Sequence, residues 1–415
     1  MADIHRRQLA RFCATMRNRI KHQAALKKVK EERSRFSSEE IDMTFAALTG
    51  WGKCLPPAIL TNADLGTFLP TDDAWITSRT GMKERRISHV SGLEMSYVAS
   101  MRALACAGMK ADDLDFIIYG SCSADELVPN SASGLQVKLG AHKAAAMDLN
   151  TACTSFLYGM STATAFIKSG AAKKVLVVGV EHISKFMDWQ NRNVSVLFGD
   201  GAAACVFEAT ENEEGVIAEK LQCFADARQT LRVRGKGGLY ANIGVQQGDT
   251  RWDFDGQEIF KKAVTGMGEG SLDVMKQAGV TIDDVEVIVP HQANLRIIEA
   301  VAKRAGASMD KVFLTVHKYG NMSAATAPVA LVEAIEEGRV KPGCLVLVPA
   351  FGAGLTMSAH LIRWGSRVTP IAISDVELAP CTQTALEIVQ GLMAHKEPHD
   401  RSEAALMSPK FIETM

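Results

Sequence analysis

The chain has 415 residues, 47% of them hydrophobic, with 46 Lys and Arg against 47 Asp and Glu. That content suffices for the core of one large α/β unit or of two to three domains. No window approaches the roughly 18 to 20 uninterrupted apolar residues of a spanning helix, and the N-terminus lacks the apolar run of a secretory signal. Nine scattered cysteines with no CxxC pair and no Cys/His cluster argue against structural zinc and a disulfide framework. A cytoplasmic protein with no integral membrane segment, no metal and no nucleic-acid partner is the expectation.

Residues 1–42 form a basic arm. Residues 1–35 hold eleven Lys and Arg against Asp3, Glu31 and Glu32, a balance of +8 that leaves −9 for the rest. Leu9, Phe12, Met16 and Ile20 recur at helical spacing, so the arm is read as an amphipathic helix. It suits an appendage docked on its own enzyme, a helix that binds a partner or an acidic surface, or a targeting presequence.

From residue 43 the chain contains itself twice. "AGMKADDLDFIIYG" (107–120) and "AGVTIDDVEVIVPH" (278–291) share a helix end at Ala-Gly, an acidic turn and an apolar strand. "NTACTSFLYG…GAAKKVLVVGV" and "HKYGNMSAATA…VKPGCLVLVPA" share a turn, a small-residue helix, a glycine stop and a strand. The halves end alike in "FGDGAAACVFE" and "FGAGLTMSAHL". Cys153 lies 17 residues before Gly170 and Asn321 lies 17 before Gly338, which pairs the two as repeat equivalents. The first half carries an extra segment at about 185–198. Near-continuous apolar strands imply mixed or parallel sheets covered on both faces, and the uncharged helix after Cys153 belongs between layers. The expected units are a first half 43–210, a second half 211–365 and a C-terminal tail 366–415 with one helix at 384–395.

Three residues at strand-to-helix turns carry the chemistry. Cys153 opens the small-residue helix, where unpaired N–H groups and the dipole lower a thiol pKa, which makes it a candidate nucleophile. His291 stands at the C-terminal end of the strand "VEVIVP", where α/β sheets place active sites. Asn321 opens the second-half helix and would otherwise serve as an N-cap. In "FGAGLTMS" a Gly-Ala-Gly turn lets main-chain N–H groups approach a reacting oxygen, and with the N–H of Cys153 it suits an oxyanion hole.

"TNADLGTFLPTDDAWITSRTGMKERRI", Cys153, "LFGDGAAA", "VPHQANLRII", "GNMSAA" and "AFGAGLT" together resemble the β-ketoacyl-acyl-carrier-protein synthase III family of the thiolase-like superfamily, over about residues 43–365. The resemblance implies a five-layer αβαβα fold of two pseudo-symmetric halves and a homodimer, as the family forms. It implies acyl transfer from acyl-CoA to Cys153, then decarboxylative condensation with malonyl-acyl carrier protein. His291 and Asn321 would donate to the enolate, with the N–H groups of Cys153 and Gly354 at the oxyanion and no cofactor. Trp75, Arg79 and Arg192 match positions that hold the adenine and phosphates of CoA. Arg296, Lys303 and Arg304, joined by Lys261, match the dock for an acidic acyl carrier protein. Val128 replaces a phenylalanine that lines the acyl pocket across the dimer, and Phe198 lines that pocket too. Ala353 replaces a glycine and Lys83 an arginine. A specialised relative with a larger primer or another acceptor keeps the same fold. The order Cys, His, Asn with spacings of 138 and 168 also matches a papain-like hydrolase, against which the missing Cys-Gly-x-Cys-Trp context and the duplication argue.

Overall fold

The computed structural model describes residues 44–235 and 251–394. The basic arm 1–42 and the end of the tail, 395–415, lie outside the described residues.

In the first half, β1 (Phe45–Cys54) leads to β2 (Ala58–Thr61), helix α1 (Asp73–Thr80) and β3 (Glu84–Ile87). Then come α2 (Gly92–Ala107), β4 (Phe116–Gly120), α3 (Ser131–Leu139), β5 (Ala145–Leu149), α4 (Ser155–Lys168), β6 (Lys174–Glu181) and β7 (Gly201–Thr210). The second half has β8 (Gly215–Cys223), the two-stranded ribbon β9 (Leu231–Arg234) and β10 (Arg251–Phe254), α5 (Gly256–Ala278), β11 (Val285–Ile288) and α6 (Leu295–Arg304). It closes with α7 (Thr326–Glu336), β12 (Leu345–Gly352) and β13 (Thr356–Arg363).

Both halves use one strand order. In the first it is β5-β4-β6-β7-β1, parallel for the first two pairings and antiparallel for the next two. In the second it is β11-β12-β13-β8, parallel then antiparallel twice, with a parallel bridge from Ile288 to Val312 standing where β5 stands in the first. A single parallel bridge, Ala46 to Gly215, joins the halves into nine strands, so the two expected sheets are continuous there. Gly215 has φ +86°, and a Cβ on it would meet the Ala46 carbonyl oxygen at 1.8 Å, so only glycine permits the junction.

Strand alternation sorts side chains into layers. On β6, Val175 and Val177 pack with Phe156, Leu157 and Met160 of α4 and with Val329 of α7. Their neighbours Leu176, Val178 and Val180 face Met95 and Val98 of α2. On β12, Val346 and Val348 face the same central layer, and Leu345 and Leu347 face Met267 of α5 and Ile298 of α6. The order is therefore helix, sheet, paired central helices, sheet, helix. Every residue of α7 from Thr326 to Ile335 is buried, as a helix between two sheets requires.

Counting back from the glycine stops misaligns the repeat. Helix α4 has 14 residues and α7 has 11, so equal spacing to Gly170 and Gly338 does not mean equal position. At the helix starts Asn150 Oδ1 accepts from the Ala152 amide at 3.0 Å, and Asn321 Oδ1 accepts from the Ser323 amide at 2.8 Å. The structural partner of Asn321 is Asn150, and Cys153 corresponds to Ala324.

The tail runs along α2, with the amides of Ile371 and Ala372 donating to the carbonyls of Cys106 and Ala105. It leads into α8 (Ala385–Ala394), which buries Ala385 and Val389. The helix expected at 384–395 is this one.

Candidate active site

Cys153 sits in a 3-10 turn ahead of α4 and is 8% exposed. The end of β12 passes directly over it: a Cβ on Gly352 would lie 2.8 Å from the Cys153 amide nitrogen. His291 follows Pro290 at the end of β11, and its amide donates to the Pro349 carbonyl at 2.9 Å. Gln292 locks this corner, donating to Pro290 and Phe313 carbonyls and accepting from the amides of Thr315 and Val316. Asn321 lies on a loop stitched to the extra segment of the first half. Its amide donates to Leu197 at 2.9 Å, and Gly199 donates to its carbonyl at 3.1 Å.

Cys153, His291 and Asn321 line one cavity of about 660 Å³, walled by α5 residues such as Ile259, Phe260 and Met267. Behind Cys153 a second cavity of about 400 Å³ is lined by Ile183, Phe186, Leu231, Val233 and Trp252. Phe198 borders both. The thiol thus stands between a mouth-side chamber and an apolar one.

The thiol is not acidic. Burial, helped by the carboxylate of Glu181, pushes it up to about 11, against hydrogen bonds from Ser323 and from the amides of Ala353 and Cys153 itself. The rise from 9.0 to about 11 is worth roughly 3 kcal/mol, and a helix end supplies roughly 0.3–1 kcal/mol. Desolvation wins, which corrects the lowered value expected from helix position. Burial also takes His291 down to about 3, so its ring is neutral at working pH. Its Nδ1 has no hydrogen-bond partner among the described residues. Asn321 Oδ1 is occupied by the Ser323 amide, which leaves the NH₂ group to donate.

Two family models match, 3-oxoacyl-[acyl-carrier-protein] synthase III over residues 147–225 and the C-terminal part of the same enzyme over 275–364. A β-ketoacyl-[acyl-carrier-protein] synthase III 2 of Vibrio cholerae is 47% identical over 355 residues, covering 86% of this chain and 98% of that one. The chain belongs to the β-ketoacyl-acyl-carrier-protein synthase III family. It is thereby an acyltransferase-type condensing enzyme with the thiolase-like fold, and the papain-like alternative falls. The Roseiflexus castenholzii synthase III is 42% identical over 78% of this chain and 99% of its own. Among solved structures, the Aquifex aeolicus synthase III superposes with TM-score 0.72 at 40% identity, covering 77% of this chain and all of that one. A priming β-ketosynthase of the R1128 polyketide pathway gives 0.74 at 28% identity, with 78% and 97% covered.

In this synthase III the other expected positions fall as follows. The guanidinium groups of Arg79 and Arg192 lie 4.8 and 4.6 Å from the Trp75 ring centre, and Trp75 and Arg79 line the mouth of the larger cavity. Arg296, Lys303 and Arg304 are exposed on α6, and Lys261 on α5. Arg304 pairs with Glu269 at 2.8 Å, and Arg296 donates to the Ser78 carbonyl of α1, tying the basic face to the Trp75 side. Gly354 lines the smaller cavity beside Ala353, whose amide, like that of Cys153 itself, hydrogen-bonds the sulfur. Val128 is 87% exposed and lines neither cavity of the single chain.

Glu181, Ser323 and Arg85 escaped the sequence reading. Arg85 is fully buried without a carboxylate contact among the described residues, donating to the carbonyls of Leu60 and Val196 and to Asn62. It carries the Val196–Phe198 loop to which Asn321 is stitched. Glu181 ends an apolar strand, the same strand-end signal that singled out His291.

Proposed function

We propose that this synthase loads an acyl group from an acyl-CoA onto Cys153 and condenses it with malonyl-acyl carrier protein to give a 3-oxoacyl carrier protein. What carries the proposal is the meeting of Cys153, His291 and Asn321 on one cavity wall, with Trp75 and Arg79 at its mouth and an apolar chamber behind the sulfur. In the first half-reaction a bond forms from the Cys153 sulfur to the thioester carbonyl and the CoA thiolate leaves. The Cys153 and Gly354 N–H groups hold the tetrahedral oxyanion.

In the second, the malonyl carboxylate departs as CO₂ and its bonding electrons pass to an enolate. The neutral His291 ring and the Asn321 NH₂ donate to the enolate oxygen. An asparagine suits this post because it cannot take a proton from the carbanion. The enolate attacks the acyl carbonyl and expels the Cys153 thiolate. Acyl-CoA and malonyl carrier protein are substrates, and the scheme calls on no cofactor or metal.

The partner is an acidic carrier protein docking on Arg296, Lys303, Arg304 and Lys261. The enzyme acts as a cytoplasmic homodimer. Supporting a dimer, β5 is an edge strand with one ladder partner, and Leu127, Val128 and Val137 nearby are 73%, 87% and 72% exposed. The 400 Å³ chamber favours a primer larger than acetyl, the specialised reading.

Intact mass after incubation with a panel of acyl-CoAs tests the proposal. A single acyl adduct, lost in Cys153→Ala, is expected, and the heaviest labelling names the primer. An unmodified mass across the panel would overturn it.

A further inference from the structure

Acylation leaves a proton without an owner. With the thiol at about 11, about one molecule in 10⁴ carries a thiolate at pH 7. His291, at about 3, is a poor acceptor, and Asn321 is none.

Next to the sulfur stands a chain of groups that can take the proton. Glu181 is fully buried at the end of β6, where the two halves meet. Its Oε1 accepts from the Ser323 hydroxyl at 2.9 Å and from the amides of Cys122 and Ala324 at 3.2 Å. Its Oε2 accepts from Ser121, Ser123 and the Cys122 thiol. Six donors hold a carboxylate that has no ion pair among the described residues. The titratable groups that face it are Cys122 and Tyr119 on the β4 side and Cys153 on the other. Burial raises its pKa from the ordinary carboxylate value, against the donors, which moves it towards the range of a working base.

Ser323 connects this carboxylate to the reaction. It lines the smaller cavity with Cys153, close enough for its hydroxyl to stabilise the thiolate, and lies 3.7 Å from the Cys122 sulfur. A serine hydroxyl has one proton: given to Glu181 at 2.9 Å it leaves the oxygen lone pairs able to accept the S–H, and turned to the sulfur it stabilises the thiolate once the S–H proton has gone.

We propose that Glu181 is the proton acceptor for Cys153, reached through the hydroxyl of Ser323. As the sulfur attacks the thioester, its proton passes to Ser323 Oγ and the Ser323 proton passes to Glu181. CoA leaves as a thiolate and takes a proton from solvent. The acyl-enzyme stage therefore carries a neutral Glu181. When condensation expels the Cys153 thiolate, the same path returns the proton and restores the thiol. Over a full cycle the relay neither gains nor loses a proton.

The proposal rests on Cys153 being the acylated residue, and one experiment separates the two. Single-turnover acylation by the best primer of the acyl-CoA panel, and decarboxylation of malonyl carrier protein without primer, are measured from pH 6 to 10 for the wild type, Glu181→Gln and Ser323→Ala. The relay requires both variants to lose about 10²-fold or more in acylation at pH 7. That loss must exceed any loss in decarboxylation at least tenfold, and much of it must be recovered near pH 10, where about a tenth of the thiol is ionised unaided. Equal losses in both half-reactions with an unchanged pH profile would make Glu181 a purely structural anchor and overturn the relay. Undiminished acylation in Glu181→Gln would overturn it as well. A wild type that takes no acyl group at all would instead sink the acyl-transfer reading.

Discussion

Ala152 and Ser323 share one left-handed backbone conformation, φ +50° and φ +45°, each three residues before the start of its helix. They are the only non-glycine residues with positive φ among those described. Such a conformation costs roughly 1–3 kcal/mol and persists only where the surroundings enforce it. Here the strain lies at the two symmetric elbows that hold the thiol and the serine that shares its cavity.

A branched side chain at the first elbow adds to that cost. Ala152→Val is expected to lower stability by about 1–3 kcal/mol and to slow acylation. Ala152→Gly should keep the fold. Urea midpoints of the two variants against the wild type check this, and equal midpoints for valine and glycine would refute it.

The sequence made the elbows visible but not their register. Strand, turn and helix around Cys153, His291 and Asn321 are written in apolar runs bounded by glycine, and such local patterns survive folding. The pairing of Asn321 with Asn150 depends on α4 being three residues longer than α7, which the glycine stops hide. Glu181 looks like the polar end of a strand until β6 is seen to deliver it beneath Ser323. The high proton affinity of Cys153 is a product of burial between layers, and no local pattern encodes a desolvation of that size.

Burial of His291 also ties stability to pH. The unfolded chain takes a proton at this residue below about pH 6.5, and the folded chain does so only near pH 3. The unfolded state therefore binds more protons in that window, and stability falls as pH drops through it, by roughly 1.4 kcal/mol per pH unit from this residue. His291→Asn should flatten the slope of unfolding free energy against pH between 6 and 4. His182, lowered in the same way by burial, should leave a residual slope. An unchanged slope in His291→Asn would show that the ring is protonated in the folded state.

In the proposed reaction, primer choice would be set at the smaller cavity, where β9 and β10 meet the first half. Trp252 stacks on Phe186 with ring centres 5.8 Å apart and planes at 6°, and lies 5.0 Å from Phe198. Trp252→Leu should enlarge the chamber and raise the kcat/KM ratio of longer to shorter primers by about tenfold, since a methylene or two of pocket space is worth 1–3 kcal/mol. Val128 lies outside that chamber in a single chain. A shift towards short primers in Val128→Phe is therefore expected only if a homodimer brings it to the partner's pocket. An unchanged profile would deny that contact.

The mouth of the larger cavity and the α6 face separate two kinds of binding. In the proposed reaction Trp75, with two guanidinium groups over its ring, would hold the flat, phosphorylated end of acyl-CoA. Trp75→Ala should raise KM for acyl-CoA about tenfold, a loss of roughly 1.4 kcal/mol, and leave KM for the carrier protein little changed. Lys303 carries no ion pair among the described residues, unlike Arg304 with Glu269, and is free to meet an acidic partner. Lys303→Glu should raise KM for the malonyl carrier protein while sparing acyl-CoA, and the defect should shrink as salt shortens the reach of the field. Steady-state kinetics with each substrate varied at low and high salt reads both effects. A salt-independent defect, or one shared equally by both substrates, would mean that Lys303 shapes the cavity and is not a dock for the carrier.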